Sequence, residues 1–395
     1  MEQLIKGGSV LVNKKYSRSF STLMMEVNYN FIGLYSKDLK KSVSSMVTTS
    51  GTQAVYNVID HLILMNQKAD SFHENVKETK TKTKTKKEKE KEKEKVKEKE
   101  KEKEKEKKRE EPKKEIHLFF PNQIYFSTKT IVTRMKFKYG INVTCFDLEE
   151  NQSKILKSIQ KIPKNSCLIL LFETVSNPNG NVFDFSLIKK IRKAVPNTNV
   201  VVDNTWMSGV LFNPFKYDAD VVVNSTSKYY SCGKHIGGVI LTTNNQLISS
   251  INNEAKVMGI HISPISLRHI LDHWETLPDR VKKSSLKTKE IVKKLKPKYD
   301  LIYPFGSKLF KKFINREYGP SIFLLKVNKT AISAKEFLSN QSIINFTTSY
   351  GTSYSKINTH PFSDPKDNSK SWLRVYVGFD EDVDQFYKKI LELFP

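Results

Sequence analysis

The chain has 395 residues, 38% of them hydrophobic and 28% charged, enough to bury a sizeable core and to divide into one large and one smaller domain. No apolar run approaches the roughly 20 residues of a bilayer crossing. The N-terminus lacks a continuous apolar stretch followed by a small-residue cleavage site. The three scattered cysteines, Cys145, Cys167 and Cys232, offer neither a disulfide framework nor a structural zinc site. A soluble, cytoplasmic protein with no membrane segment and no metal is expected. The net charge of +25 raises a polyanion-binding reading, but the basic residues form no Arg stripe and no aromatic-interleaved RNA motif, so no specific nucleic-acid partner is expected.

In chain order, residues 1–48 read as an N-terminal arm and residues 49–257 as a large α/β domain. Within that domain, residues 77–114 hold 20 basic and 12 acidic residues in near-alternation. Such a tract has almost nothing apolar to bury, and residues four apart carry the same sign, so it is expected to be a disordered insertion. Its flanks, Asn57-Val58-Ile59-Asp60-His61-Leu62 before and Ile116-His117-Leu118-Phe119-Phe120 after, read as a core helix and a buried strand. Short β-branched or apolar runs then alternate with helical segments. Strands are expected at 116–120, 141–146, 167–172, 199–202, 220–223 and 237–241, with helices at 128–139, 152–160 and 185–195. This alternation predicts a mostly parallel sheet covered on both faces, with ligands bound at the strand carboxyl ends. Residues 258–395 read as a smaller α+β domain, with a helix at 277–296, strands near 321–327 and 373–377, and a C-terminal helix.

The densest cluster of reactive groups lies between Asn199 and Gly238. One apolar strand runs into Asp203, and the next ends in Asn224-Ser225-Thr226-Ser227-Lys228. Two strand ends therefore present a carboxylate, hydroxyls and an amine together. A carboxylate keeps a pyridinium nitrogen protonated, a lysine can form a Schiff base with an aldehyde, and hydroxyls hydrogen-bond a phosphate. Each residue alone is ordinary: an Asp after a strand commonly caps a turn, and Lys228 is one of many lysines.

Together they resemble the Cys/Met-metabolism family of enzymes that use pyridoxal 5'-phosphate (PLP), which includes cystathionine synthases and lyases. The family's strand-Asp-Asn-Thr element is matched by Val202-Asp203-Asn204-Thr205, and its Ser-x-Thr-Lys-Tyr element by Ser225-Thr226-Ser227-Lys228-Tyr229. The resemblance implies a type I, PLP-dependent aminotransferase-like fold. It makes Lys228 the Schiff-base and catalytic lysine, Asp203 the pyridine partner, and Ser225 and Ser227 phosphate ligands. Further elements follow in family order. Thr49-Ser50-Gly51-Thr52-Gln53-Ala54 resembles the turn whose amides hold the phosphate at a helix N-terminus, placing Gly51 and Thr52 at the cofactor. Tyr16-Ser17-Arg18 resembles the Tyr-x-Arg element that reaches the neighbouring subunit's phosphate, which implies a homodimer or homotetramer with shared sites. Tyr125 falls at the position of the ring-stacking, catalytic tyrosine, although the two glycines that follow it in the family are replaced by Phe126 and Ser127. Asn177, in Glu173-Thr174-Val175-Ser176-Asn177-Pro178, inherits the contact to the cofactor's ring hydroxyl. Arg374, in Leu373-Arg374-Val375-Tyr376-Val377-Gly378, would clamp a substrate carboxylate bidentately.

The substrate that the resemblance implies is a small sulfur-containing or O-activated amino acid undergoing β or γ elimination or replacement, with synthase and lyase unranked. Two departures bear on turnover. The arm before Tyr16 is shorter than the family's. The substrate loop reads Ser349-Tyr350-Gly351-Thr352-Ser353-Tyr354-Ser355, with a tyrosine in place of the family's acid and Ser355 retained for the substrate. The alternative is therefore a cofactor-binding homologue or partner subunit without turnover.

Overall fold

The computed structural model describes residues 21–75, 114–150, 152–314, 317–340, 345–346, 349–358 and 360–395. Tyr16, Arg18 and all of the charged insertion except Lys114 lie outside the described residues. Helix α1 (Thr22–Ser36) starts at Ser21, whose side chain accepts from the Met24 N–H, and buries Val27, Phe31 and Tyr35. That four-residue spacing puts the three on one helix face. The large domain continues through β1 (Ser44–Thr48), α2 (Gly51–Asn75), β2 (Ile116–Pro121), α3 (Phe126–Tyr139), β3 (Asn142–Phe146), α4 (Ser153–Ile159), β4 (Cys167–Glu173) and α5 (Leu187–Ala194). It ends with β5 (Thr198–Asp203), the short α6 (Ser208–Leu211), β6 (Val221–Ser225), β7 (Gly238–Thr242) and α7 (Asn245–Met258).

These strands form one seven-stranded sheet in the order β1-β7-β6-β5-β4-β2-β3. The pairs from β6 through β3 are parallel, whereas β7 runs antiparallel to both β6 and β1. All seven residues of the central β4 are buried, as expected of a parallel strand covered by helices on both faces. One core layer holds Leu168, Leu170 and Phe172 and the other Ile169 and Leu171, which is the two-residue period of a strand. Every strand expected between 116 and 241 is present within about two residues, the ordinary uncertainty of an element boundary. Residues 44–48, expected in the arm, instead form the sheet edge, with Ser44 opposite Thr242 and Thr48 opposite Gly238. The polar start of this strand carries little hydrophobic signal, and only its partner almost 200 residues away makes it a strand.

The smaller domain follows α8 (Pro264–Asp272) and α9 (Leu277–Leu295). It contains β8 (Leu301–Ile302), α10 (Lys308–Phe313), β9 (Ile322–Val327), α11 (Ala331–Ser339), β10 (Asn345–Phe346), β11 (Lys356–Ile357), β12 (Phe362–Asp364), β13 (Asp367–Tyr376) and α12 (Val383–Leu393). Its sheet, ordered β10-β11-β13-β9-β8, is antiparallel except for β10–β11, and β12 pairs with β13. Strand β13 begins six residues before the expected strand because its polar start, from Asp367, pairs with β12. The architecture is α/β with a mostly parallel sheet and a smaller C-terminal domain. No helix among the described residues is long and apolar enough to cross a membrane.

Candidate active site

The carboxyl ends of β4, β5 and β6 carry Glu173, Asp203 and Ser225, and the chain after β6 turns through Lys228. Glu173 and Asp203 are register partners across the β4–β5 pair. Asp203 Oδ1 accepts from the Thr205 N–H at 2.9 Å, while Thr205 Oγ1 accepts from the Ser225 N–H at 2.9 Å. One threonine thus ties the end of β5 to the end of β6. Burial raises the pKa of both carboxyls, and the nearby Asp203 charge pushes Glu173 further, well above the usual carboxylate range. Glu173 is 6% exposed, and its two oxygens accept from the backbone N–H groups of Tyr125 at 2.9 Å and Asn177 at 2.6 Å. It therefore positions two candidate site residues at once.

Lys228 donates from Nζ to Ser349 Oγ at 3.1 Å and lies 5.1 Å from the ring centroid of the buried Tyr350. Burial is the largest influence on its amine, followed by the charges of Arg374 and Lys356, with Asp203 opposing; together they lower its pKa from the ordinary 10.5 to about 8. The loop that reaches Lys228 from the smaller domain depends on Gly351. Its φ is +93°, and a Cβ there would sit 2.4 Å from the Lys228 carbonyl carbon. Only glycine adopts that conformation without strain and lets the two backbones touch.

The first turn of α2 lies against β6. A Cβ on Gly51 would come within 2.8 Å of Ser225 Cβ and 3.0 Å of its Cα, so the missing side chain lets the helix N-terminus and the Ser225 hydroxyl share one corner. The Ser50 hydroxyl accepts from the Gln53 N–H at 3.0 Å, and the two amides before it, at Gly51 and Thr52, open a 25-residue helix, a natural anion site. Thr52 is exposed on that turn. Ser227 is engaged with the Gly237 backbone, its hydroxyl donating to the carbonyl at 3.2 Å and accepting from the N–H at 3.0 Å. Arg374, on β13, donates from Nη1 to Asn177 Oδ1 at 3.0 Å and joins the two domains across the site. Tyr125 is the residue before α3 and is 46% exposed. Ser355 is 3% exposed; its hydroxyl accepts from the Gly378 N–H at 3.0 Å, and its own N–H donates to Glu381 at 2.9 Å.

Ile322, Ser349, Tyr350, Lys356, Asn358, Arg374 and Tyr376 line a small, partly open pocket. Ser349 opens the loop read as the substrate loop, but its bond to Lys228 was not foreseen, and Lys356 escaped sequence reasoning altogether, since a lone lysine in a two-residue strand carries no local signal. So did Tyr35. Its hydroxyl donates to Asn224 Oδ1 at 3.1 Å and accepts from Asn204 Nδ2 at 3.0 Å and Asn224 Nδ2 at 2.9 Å. Those asparagines directly follow Asp203 and directly precede Ser225.

The donors suit PLP. The α2 amides and Ser225 face a common corner for a phosphate, Asp203 is a carboxylate for a ring nitrogen, and the Lys228 amine is held with a lowered pKa for an aldehyde. The family model for Cys/Met metabolism PLP-dependent enzymes matches residues 112–384. The chain belongs to this family. Among relatives it is 27% identical over 192 residues to an L-methionine gamma-lyase of Fusobacterium nucleatum subsp. polymorphum, covering 47% of each chain. It is 28% identical over 189 residues to a cystathionine beta-lyase of Schizosaccharomyces pombe, again covering 47% of each. The chain thus spans about half the length of the curated relatives it matches. The fold is also that of the solved cystathionine gamma-lyase from yeast, with TM-score 0.69 and 18% identity over 96% of this chain and 87% of that one. A methionine gamma lyase from Micromonospora echinospora gives TM-score 0.70 and 17% identity over 98% and 90%. Pyridoxal phosphate is accordingly the cofactor that this site implies.

Proposed function

We propose that the chain catalyses PLP-dependent β or γ elimination or replacement on a sulfur-containing or O-activated amino acid. The observation that carries the reading is the convergence on one strand-end cleft of Lys228, with its lowered pKa, the Asp203 carboxylate and Arg374. Bound PLP supplies an electron sink for negative charge at the substrate α-carbon. Asp203 would hold a proton on the ring nitrogen, and Gly51, Ser225 and the α2 amides would receive the phosphate. Arg374, steered by Asn177, would fix the substrate carboxylate. With a pKa of about 8, a useful fraction of Lys228 is neutral near physiological pH, and its amine can take the α-proton. Tyr125 stands beside the cleft with its backbone held by Glu173, available to cover the ring.

A second reading, cofactor binding without turnover, draws support from the exposed Tyr125 and from Tyr354 in place of the family's acid. A shared-site homo-oligomer and a cytoplasmic location are part of the same proposal. The location is consistent with cysteines that are all unpaired. The test is the visible spectrum of the purified protein with PLP, together with product release from cystathionine, methionine and acylated homoserines. Wild type should show the bound-cofactor band and release product, and Lys228→Ala should do neither. A band without product from any substrate would replace the proposal with the second reading. Absence of the band in wild type would overturn both.

A further inference from the structure

Strand pairing in the smaller domain puts an unexpected cation into the substrate pocket. Lys356 of β11 is directly opposite Tyr376 of β13, and the Asn358 N–H bonds the Arg374 carbonyl at 2.9 Å. Opposed residues of an antiparallel pair share a face, as do residues two apart on one strand. Lys356, Asn358, Arg374 and Tyr376 therefore project to the same side, and all four line the pocket. Ile357, Leu373 and Val375, in alternation with them, are buried in the domain core. Diagonal partners such as Lys356 and Arg374 are roughly 7–8 Å apart along such a ladder, so two cationic side chains rise from neighbouring positions of one pocket wall.

Lys356 is only 6% exposed. Its Nζ lies 5.1 Å from the Tyr354 ring centroid, and no described carboxylate pairs with it. Burial lowers its pKa, and its charge acts on Lys228 in the same direction as that of Arg374. A mostly buried ammonium that has no described carboxylate partner, acts on the Lys228 amine and lines the same pocket as Arg374 is unfavourable unless an anion completes the site. Arg374 already answers to an α-carboxylate in the proposed function. The charge left over calls for a second anionic group.

We propose that Lys356 is a specificity-determining residue that selects amino acids whose side chain ends in a second anionic group, a carboxylate or a phosphoryl. This rests on the proposed reading of the pocket as an amino-acid site. Tyr354 shields the ammonium through its ring, and Asn358 supplies a neutral hydrogen-bonding partner for the same group. A neutral side chain of equal length leaves Lys356 uncompensated and is discriminated against.

The experiment is calorimetric titration of the PLP-loaded protein with L-2-aminoadipate, L-2-amino-5-phosphonopentanoate and L-norleucine, which needs no turnover. At least one anionic ligand is expected to bind about tenfold or more tightly than norleucine, and the tighter of the two identifies carboxylate or phosphoryl. Lys356→Met should bring the ratio to within about twofold of one, and Lys356→Arg should restore it. A ratio near one in wild type, or a preference that survives Lys356→Met, overturns the inference while the amino-acid site stands. Failure of all three ligands to bind wild type overturns the site reading itself, and the inference with it.

Discussion

Removing the Tyr35 hydroxyl is a severe test of how the strand ends of the candidate site are held, because the change touches no residue of the cleft directly. Tyr35, Asn204 and Asn224 are each 0% exposed, so water cannot replace what Tyr35→Phe deletes. Asn204 Nδ2 keeps the Phe212 carbonyl at 2.8 Å, and Asn224 Oδ1 keeps the Tyr230 hydroxyl at 3.3 Å. Asn224 Nδ2 loses its contact to the Tyr35 oxygen and is left buried with no other described acceptor. An unsatisfied buried amide costs roughly 1–3 kcal/mol, and the weakened bond at Asn204 adds up to about 1 more. Urea denaturation should therefore show a loss of about 1–4 kcal/mol. Because these amides flank Asp203 and Ser225, PLP affinity measured by equilibrium dialysis should fall in the folded variant. Tyr230→Phe is the comparison: its hydroxyl accepts the Gly209 N–H at 3.1 Å and its bond to Asn224 is the longer one at 3.3 Å, so its effect on cofactor affinity should be smaller. A Tyr35→Phe protein within about 0.5 kcal/mol of wild type, the ordinary range of a neutral substitution, with unaltered PLP affinity would refute the reasoning.

Two further predictions follow from the site geometry. Gly51→Ala drives a methyl into the backbone of Ser225 and should cost about 1–3 kcal/mol by overpacking, partly offset by up to about 1 kcal/mol of helix propensity, with weaker PLP binding. Gly33→Ala, in the exposed interior of α1 with nothing within 4 Å of the new Cβ, should instead stabilise by about 0.5–1 kcal/mol; equal effects in thermal and urea melts would contradict the cradle. In the cofactor-free protein, Lys228 is charged in both folded and unfolded chains below pH 8, so the folded state bears the full burial penalty there. Between about 8 and the ordinary 10.5 the unfolded chain binds more protons, and stability from this group rises with pH by about 3 kcal/mol. Stability curves of wild type and Lys228→Met should accordingly converge on wild type's side as pH rises through that window; a pH-independent gap would count against the buried amine.

Much of the large domain was legible along the chain because its strands are continuous apolar runs whose burial on both faces depends little on exact partners. Val200-Val201-Val202 and Leu168-Ile169-Leu170 announce themselves locally, and Asp203 and Lys228 stand at the ends of such runs. Residues 44–48 and 367–371 did not, since their strand character comes from partners elsewhere rather than from hydrophobic pattern. Arg374 and Asn177 were separately recognisable, but the 3.0 Å bond joining them across the domains was not.

What the sequence by itself determined was the succession of strands and helices, the order of the family's elements and the identity of the lysine and carboxylate at two strand ends. What only the tertiary structure decided was which distant groups meet there: Tyr35 behind the strand ends, Glu173 beneath Tyr125 and Asn177, and Lys356 beside Arg374. The physical reason is that periodicity is a short-range property, set by 3.6 residues per helical turn and two per strand. The face that a lone lysine shares with an arginine depends on strand register, which is settled by the packing of the whole sheet.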